Sequence, residues 1–163
     1  MAKRMVYDAM LLAVALIIFV VEAQIPPLVP IAGVKLGLAN IITVYSMFRV
    51  GAGDTLAILA CRVIIGSIYC GQPVSFIYSA AGGIMCYLVM LLMKRILTER
   101  QIWVCGVFGA IAHGGGQTAV AVVMFGTAAL SYLPLLTLSG IITGLFTGLC
   151  AQYVSNRSKY FEK

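Results

Sequence analysis

Apolar runs long enough to cross a lipid bilayer follow one another along almost the whole chain, and this restricts the fold more than anything else in the sequence. A transmembrane helix needs roughly 20 apolar residues. Six runs approach that length, at about 5–21, 36–50, 54–69, 74–93, 102–125 and 132–154, with short polar breaks between them. Of the 163 residues, 62% are hydrophobic and only 10% charged. A water-soluble domain of this size would need a charged surface that such a composition cannot supply. The expected fold is therefore all-α and integral to the membrane: a six-transmembrane-helix bundle forming one domain over residues 1–163.

The breaks carry the usual turn chemistry. Pro26, Pro27, Pro30 and Gly33 prevent a continuous helix between the first two runs. Gly51-Ala52-Gly53 reads as a turn, with Asp54 as the N-cap of the third helix. Gly71-Gln72-Pro73 makes the next turn, and Lys94 to Arg100 a charged loop. Residues after about 154 read as a basic tail. The second and third runs are short for full spans, which leaves open a five-span form with a partly re-entrant second helix. The opening Met1-Ala-Lys-Arg and the Val21-Glu22-Ala23 triplet loosely resemble a cleavable signal, but the first apolar run is long for one and further spans follow.

Charge placement sets an orientation. With both termini on one side, that side holds Lys3, Arg4, Arg49, Lys94, Arg95, Arg100, Arg157, Lys159 and Lys163, while the opposite connections hold only Lys35. The positive-inside rule makes the rich side cytoplasmic, so both termini are expected in the cytoplasm of a multi-pass cell-membrane protein. The lipid membrane accounts for the net charge of +6, and no nucleic acid partner is needed. The five cysteines are scattered through apolar runs without metal-binding spacing, so they read as small buried hydrophobes. No metal or other cofactor is expected.

In lipid, helices approach closely where small residues form rows. Gly140, Gly144 and Gly148 repeat every four residues, as do Gly106, Ala110 and Gly114. These rows read as packing of the last two helices. Ala80-Ala81-Gly82-Gly83 reads the same way. Ala9 and Ala13, also four apart, form a groove that would serve packing or a second membrane subunit.

Against this background the run Gly33-Val-Lys-Leu-Gly-Leu-Ala-Asn40 stands out. Polar groups within membrane helices are expensive and tend to mark functional sites. Lys35, Asn40, Arg62, His113 and Gln117, with Glu22 orienting a basic group, are the candidate substrate-binding residues. One reading makes them internal clamps: Glu22 with Lys35, Arg62 with Asn40 or a backbone carbonyl, and His113 with Gln117. The other gathers them around an outward-facing cavity of net positive character, suited to a small carboxylate or phosphate ligand. There the start of the second helix would offer backbone N–H groups, and the proline-rich connection would act as a lid. No catalytic residues are assigned, because no hydrolytic triad, HExxH or Walker sequence is present.

The segments Gly33 to Thr43, Arg62 to Gly66 and Ala112-His113-Gly-Gly-Gly-Gln117 resemble the heptaprenyl diphosphate synthase component I family, also called the Gx transporter family. That family is similar in turn to the substrate-binding S-components of energy-coupling-factor transporters of bacterial inner membranes. The resemblance implies a non-catalytic subunit that captures a small anionic or amphipathic molecule, such as a vitamin, a flavin or an isoprenoid-related compound. It implies docking of a T-component through Ala9 and Ala13, with ATPases as separate chains. The alternative implied partner is a soluble prenyl synthase, or a flavoprotein of a flavin/quinone-linked electron-transfer assembly.

Overall fold

The computed structural model describes residues 2–25, 37–71 and 73–161. Among them there is no strand. The elements are α1 (Ala2–Ala23), α2 (Asn40–Arg49), α3 (Ala52–Cys70), α4 (Pro73–Ile96), α5 (Ile102–Phe125), a 3₁₀ turn (Thr127–Tyr132) and α6 (Leu133–Phe161). Five of the helices are long and apolar enough to cross a membrane. The sixth, α2, has ten residues. At 1.5 Å per residue it spans about 15 Å, half of a typical hydrocarbon core. Among the described residues six helices are present and five are of spanning length; the second, read from sequence as short for a span, is about half of one.

The physical reason lies at the start of α2. The sequence run begins at Leu36, yet Gly37 has φ +82°, outside the right-handed helical region, and 38–39 form a turn. The helix proper cannot begin before Asn40. Its far end is fixed by Ser46, whose carbonyl accepts from both Val50 and Gly51 (2.9 and 3.0 Å). Although short, α2 occupies the centre. It packs against all five other helices, and seven of its ten residues are buried. By contrast, among the described elements α1 packs only against α2 and α3.

A helix this short has a dipole whose ends both lie near low-dielectric surroundings, and neighbours answer both ends. Glu22 of α1 accepts from the backbone N–H of Gly37 (2.5 Å) and of Ala39 (3.4 Å). Lys94 of α4 donates to the Met47 carbonyl at 2.5 Å. Arg49, in the last turn, donates to Ser158 Oγ of α6.

Other contacts show that the two termini share one end of the bundle. Arg4 pairs with Asp54 near the start of α3, and Arg49, just before α3, reaches Ser158 near the end of α6. The same end therefore carries Lys3, Arg4, Arg49, Lys94, Arg95, Arg100 and Arg157.

The glycine rows form the seam between α5 and α6. A Cβ on Gly106 would lie 2.6 Å from the Gly148 Cα, one on Gly144 2.7 Å from the Val107 Cα, and one on Gly148 2.5 Å from the Trp103 carbonyl oxygen. Backbone meets backbone along this seam, as small-residue rows allow in lipid. Three smaller expectations change. Asp54 is not an N-cap: α3 starts two residues earlier, after Gly51 at φ +122°, which places Asp54 in the first turn, where a carboxylate still suits the dipole. The tail continues α6 helically to Phe161 instead of leaving it. Cys86 and Cys105 are buried as expected, but Cys61 is exposed on α3.

Candidate functional site

Three helices bring polar side chains to the same depth. Arg62 lies ten residues into α3 and His113 eleven residues into α5, both counted from the basic end. At 1.5 Å per residue each is about 15–17 Å in, near the middle of the bilayer. Asn40 is the first residue of α2, and α2 reaches only to this depth. The half-length of α2 is what leaves its polar start beside Arg62 and His113 rather than at a membrane surface.

There a cavity of about 20 Å³ is lined by Phe19 and Glu22 of α1, Gly37, Ala39 and Asn40 around the start of α2, Arg62 and Val63 of α3, Ser79 of α4 and His113 of α5. That volume is about enough for one water molecule. Glu22, Asn40, Arg62 and His113 are 4%, 2%, 5% and 5% exposed. Buried charges and amides at this depth need partners. Arg62 Nη2 donates to Asn40 Oδ1 at 3.2 Å. This bond also orients the Asn40 amide: because Oδ1 accepts from arginine, Nδ2 is the donor left to face elsewhere. Among the described residues, neither Asn40 Nδ2 nor Arg62 Nη1 has a hydrogen-bond partner.

His113 is held between two glycines. A Cβ on Gly37 would sit 3.2 Å from the imidazole Cδ2, and one on Gly82 2.8 Å from Cε1. The ring also hydrogen-bonds the backbone of Gly82. Each glycine therefore supplies space that any other residue would fill.

Of the expected binding residues, the structure gathers Glu22, Asn40, Arg62 and His113 around one cavity. Gln117 is buried one turn further along α5 and is not in the lining. Lys35 and the proline-rich segment lie outside the described residues. Ala9 and Ala13 are both exposed on α1, remote from the cavity lining. One expectation is corrected: the N–H groups before α2 do not face a ligand, because the Glu22 carboxylate takes those of Gly37 and Ala39. An anion-favouring helix start is occupied by the chain's own anion. Phe19, Val63, Ser79 and Gly82 were not among the expected binding residues. The clue for Gly82 is its cluster of small residues, which sequence reading assigns to helix packing alone.

Five helices of membrane-spanning length and a shorter central one, with polar side chains gathered around a small cavity, mark a multi-pass membrane protein. The family model for heptaprenyl diphosphate synthase component I matches residues 11–154, and the chain belongs to that family. No curated protein and no solved structure matches it.

Proposed function

We propose that the protein is a membrane-embedded substrate-capture subunit, acting like an S-component in the uptake of a small molecule. The observation that carries this reading is the cavity shared by Glu22, Asn40, Arg62 and His113, where among the described residues the donors Asn40 Nδ2 and Arg62 Nη1 have no partner. Buried polar groups in native proteins are nearly always satisfied, so unpaired donors beside a cavity point to a missing acceptor. Lys35 and Gln117 are the further binding residues, and the proline-rich connection from Gln24 to Lys35 the cover. Entry is from the side opposite the basic end, which is cytoplasmic by the positive-inside rule. Ala9 and Ala13, exposed on the helix with the fewest neighbours, provide the docking face for a membrane T-component that brings its own ATPases.

The family name supports a second reading, a non-catalytic membrane subunit of a heptaprenyl diphosphate synthase assembly; a subunit of a flavin/quinone-linked electron-transfer assembly is the other form of that reading. A catalytic role in prenyl transfer fits the chain poorly. That chemistry uses Mg²⁺ held by clustered aspartates to neutralise the leaving diphosphate. The chain has two aspartates, Asp8 and Asp54, both toward the basic end and far from the hollow.

Mass spectrometry of the purified protein is expected to find a co-purifying small molecule. Its absence, together with unchanged uptake by a Lys35→Ala, Arg62→Ala double variant, would overturn capture. Bulky replacements at Ala9 and Ala13 separate the two readings. Loss of a T-component and its ATPases supports the first; an intact complex with a soluble synthase supports the second.

A further inference from the structure

We infer that the head of the captured molecule is a single carboxylate, bound between Arg62 Nη1 and Asn40 Nδ2, and that a diphosphate is excluded. This rests on the capture reading and narrows its ligand class.

The first argument is the hydrogen-bonding inventory. Both unpartnered atoms are donors, and each belongs to a side chain that is at least nine-tenths buried. Arg62 has committed Nη2 to Asn40, and this bond leaves the asparagine's Nδ2, which lies toward Gly37 of the cavity lining, as a second donor. Two donors from residues lining one cavity call for a group that only accepts. A carboxylate has two oxygens and no hydrogen, and a charged acceptor on arginine makes the stronger class of bond. An alcohol or ammonium head would bring hydrogens toward donors that already lack acceptors.

The second argument is charge. Glu22 lines the same cavity, with its two oxygens already holding the N–H groups of Gly37 and Ala39. Its negative charge acts on any anion placed beside Arg62. At this depth like charges are poorly screened, so each further negative charge on the head meets more repulsion from Glu22. The third argument is size and surface. The described cavity of about 20 Å³ accepts only the tip of a ligand, and Phe19 and Val63 supply apolar wall beside it. An apolar body attached to the carboxylate suits that wall.

The test uses the full-length protein in detergent micelles and four probes of similar length: hexanoate, hexanol, hexylammonium and dimethylallyl diphosphate. Binding is read from the chemical shift of the ¹⁵N-labelled Asn40 side-chain amide during titration. Hexanoate is expected to bind at least tenfold more tightly than the other three. The Asn40→Asp variant keeps an oxygen for Arg62 Nη2 and replaces the donor Nδ2 by a second carboxylate oxygen. It is expected to remain folded, with a thermal midpoint no lower than that of the parent, and to lose hexanoate binding by more than tenfold in competition against the labelled parent. Arg62→Lys, which keeps the charge but not the fork, is expected to lose roughly tenfold.

Tighter binding of hexanol or of the diphosphate than of hexanoate would overturn the carboxylate assignment and leave capture standing. So would failure of all four probes when mass spectrometry still finds a different co-purifying molecule. Failure of all four with nothing co-purifying would bring down the capture reading as well. An Asn40→Asp variant that is folded and still binds hexanoate as the parent does would remove the assigned donor pair.

Discussion

The seam between α5 and α6 and the surroundings of α2 are built on opposite terms. Along the seam, glycines bring two long helices to backbone contact, and a Cβ at Gly106, Gly144 or Gly148 would collide with main-chain atoms. Around α2, a short helix is held by side chains that arrive from α1 and α4, and donors are left over at its start. Lipid offers no hydrophobic drive between helices, so the seam gains its stability from close packing and needs no polar chemistry. The centre spends buried polar groups where apolar ones would have been cheaper. Under the proposed function, the cost of that arrangement is the cost of a binding site.

The two regions should respond differently to substitution. The largest effect is expected for Gly144→Leu, whose side chain would meet Val107 and Ala110 with no flexible neighbour to yield. Overpacking of this kind costs about 1–3 kcal/mol and often more, and here it should abolish monodisperse protein in size-exclusion chromatography. Normal yield and melting would mean that the seam is not closely packed.

Next comes Glu22→Ala, which strips acceptors from two backbone N–H groups. Leaving a buried donor unsatisfied costs roughly 1–3 kcal/mol, so the thermal midpoint should fall clearly, with Glu22→Gln recovering part of the loss. Equal midpoints for all three proteins would show that α2 does not depend on its cap. Lys94→Met, which keeps the apolar stem but removes the donor to Met47, should lower stability by about 0.5–1.5 kcal/mol, measured in the same melts. The smallest effect is expected at Gly115, where a Cβ would meet nothing within 4 Å. Gly115→Ala should be neutral or stabilising by up to about 1 kcal/mol from helix propensity. A large loss there would blur the contrast between seam glycines and ordinary ones.

Much of this arrangement is legible in the residues themselves. The long helices follow from apolar runs that end at charges, glycines and prolines. The α5–α6 seam follows from glycine spacing, because residues four apart share a helix face. The length of α2 is legible only in part. Residues 36–50 read as short for a span and carry Gly37, Asn40, Thr43 and Ser46, but the run does not show that the helix proper waits until Asn40, where the backbone at Gly37 and a carboxylate from a different helix fix its start. The second of these is a tertiary effect. The polar residues attract notice because they are costly in lipid, and the Arg62–Asn40 bond is among the pairings their types suggest. The space around His113 escapes notice, because a glycine that makes room for a ring looks the same in sequence as one that lets two helices touch. The Glu22 contact is the reverse case: the residue is conspicuous, but its partners are main-chain groups that every residue possesses.

The half-length of α2 also settles a question of parity. Five full crossings alone would send the two ends of the chain to opposite faces, yet Arg4 and Ser158 are tied to neighbouring points at the junction of α2 and α3. The stubby helix, entered from mid-depth, supplies the missing return leg. Fluorescent donor and acceptor proteins fused to the two ends should therefore sit close enough to exchange energy. Shortening or lengthening α2 could alter the hollow above it without reversing which face either end occupies.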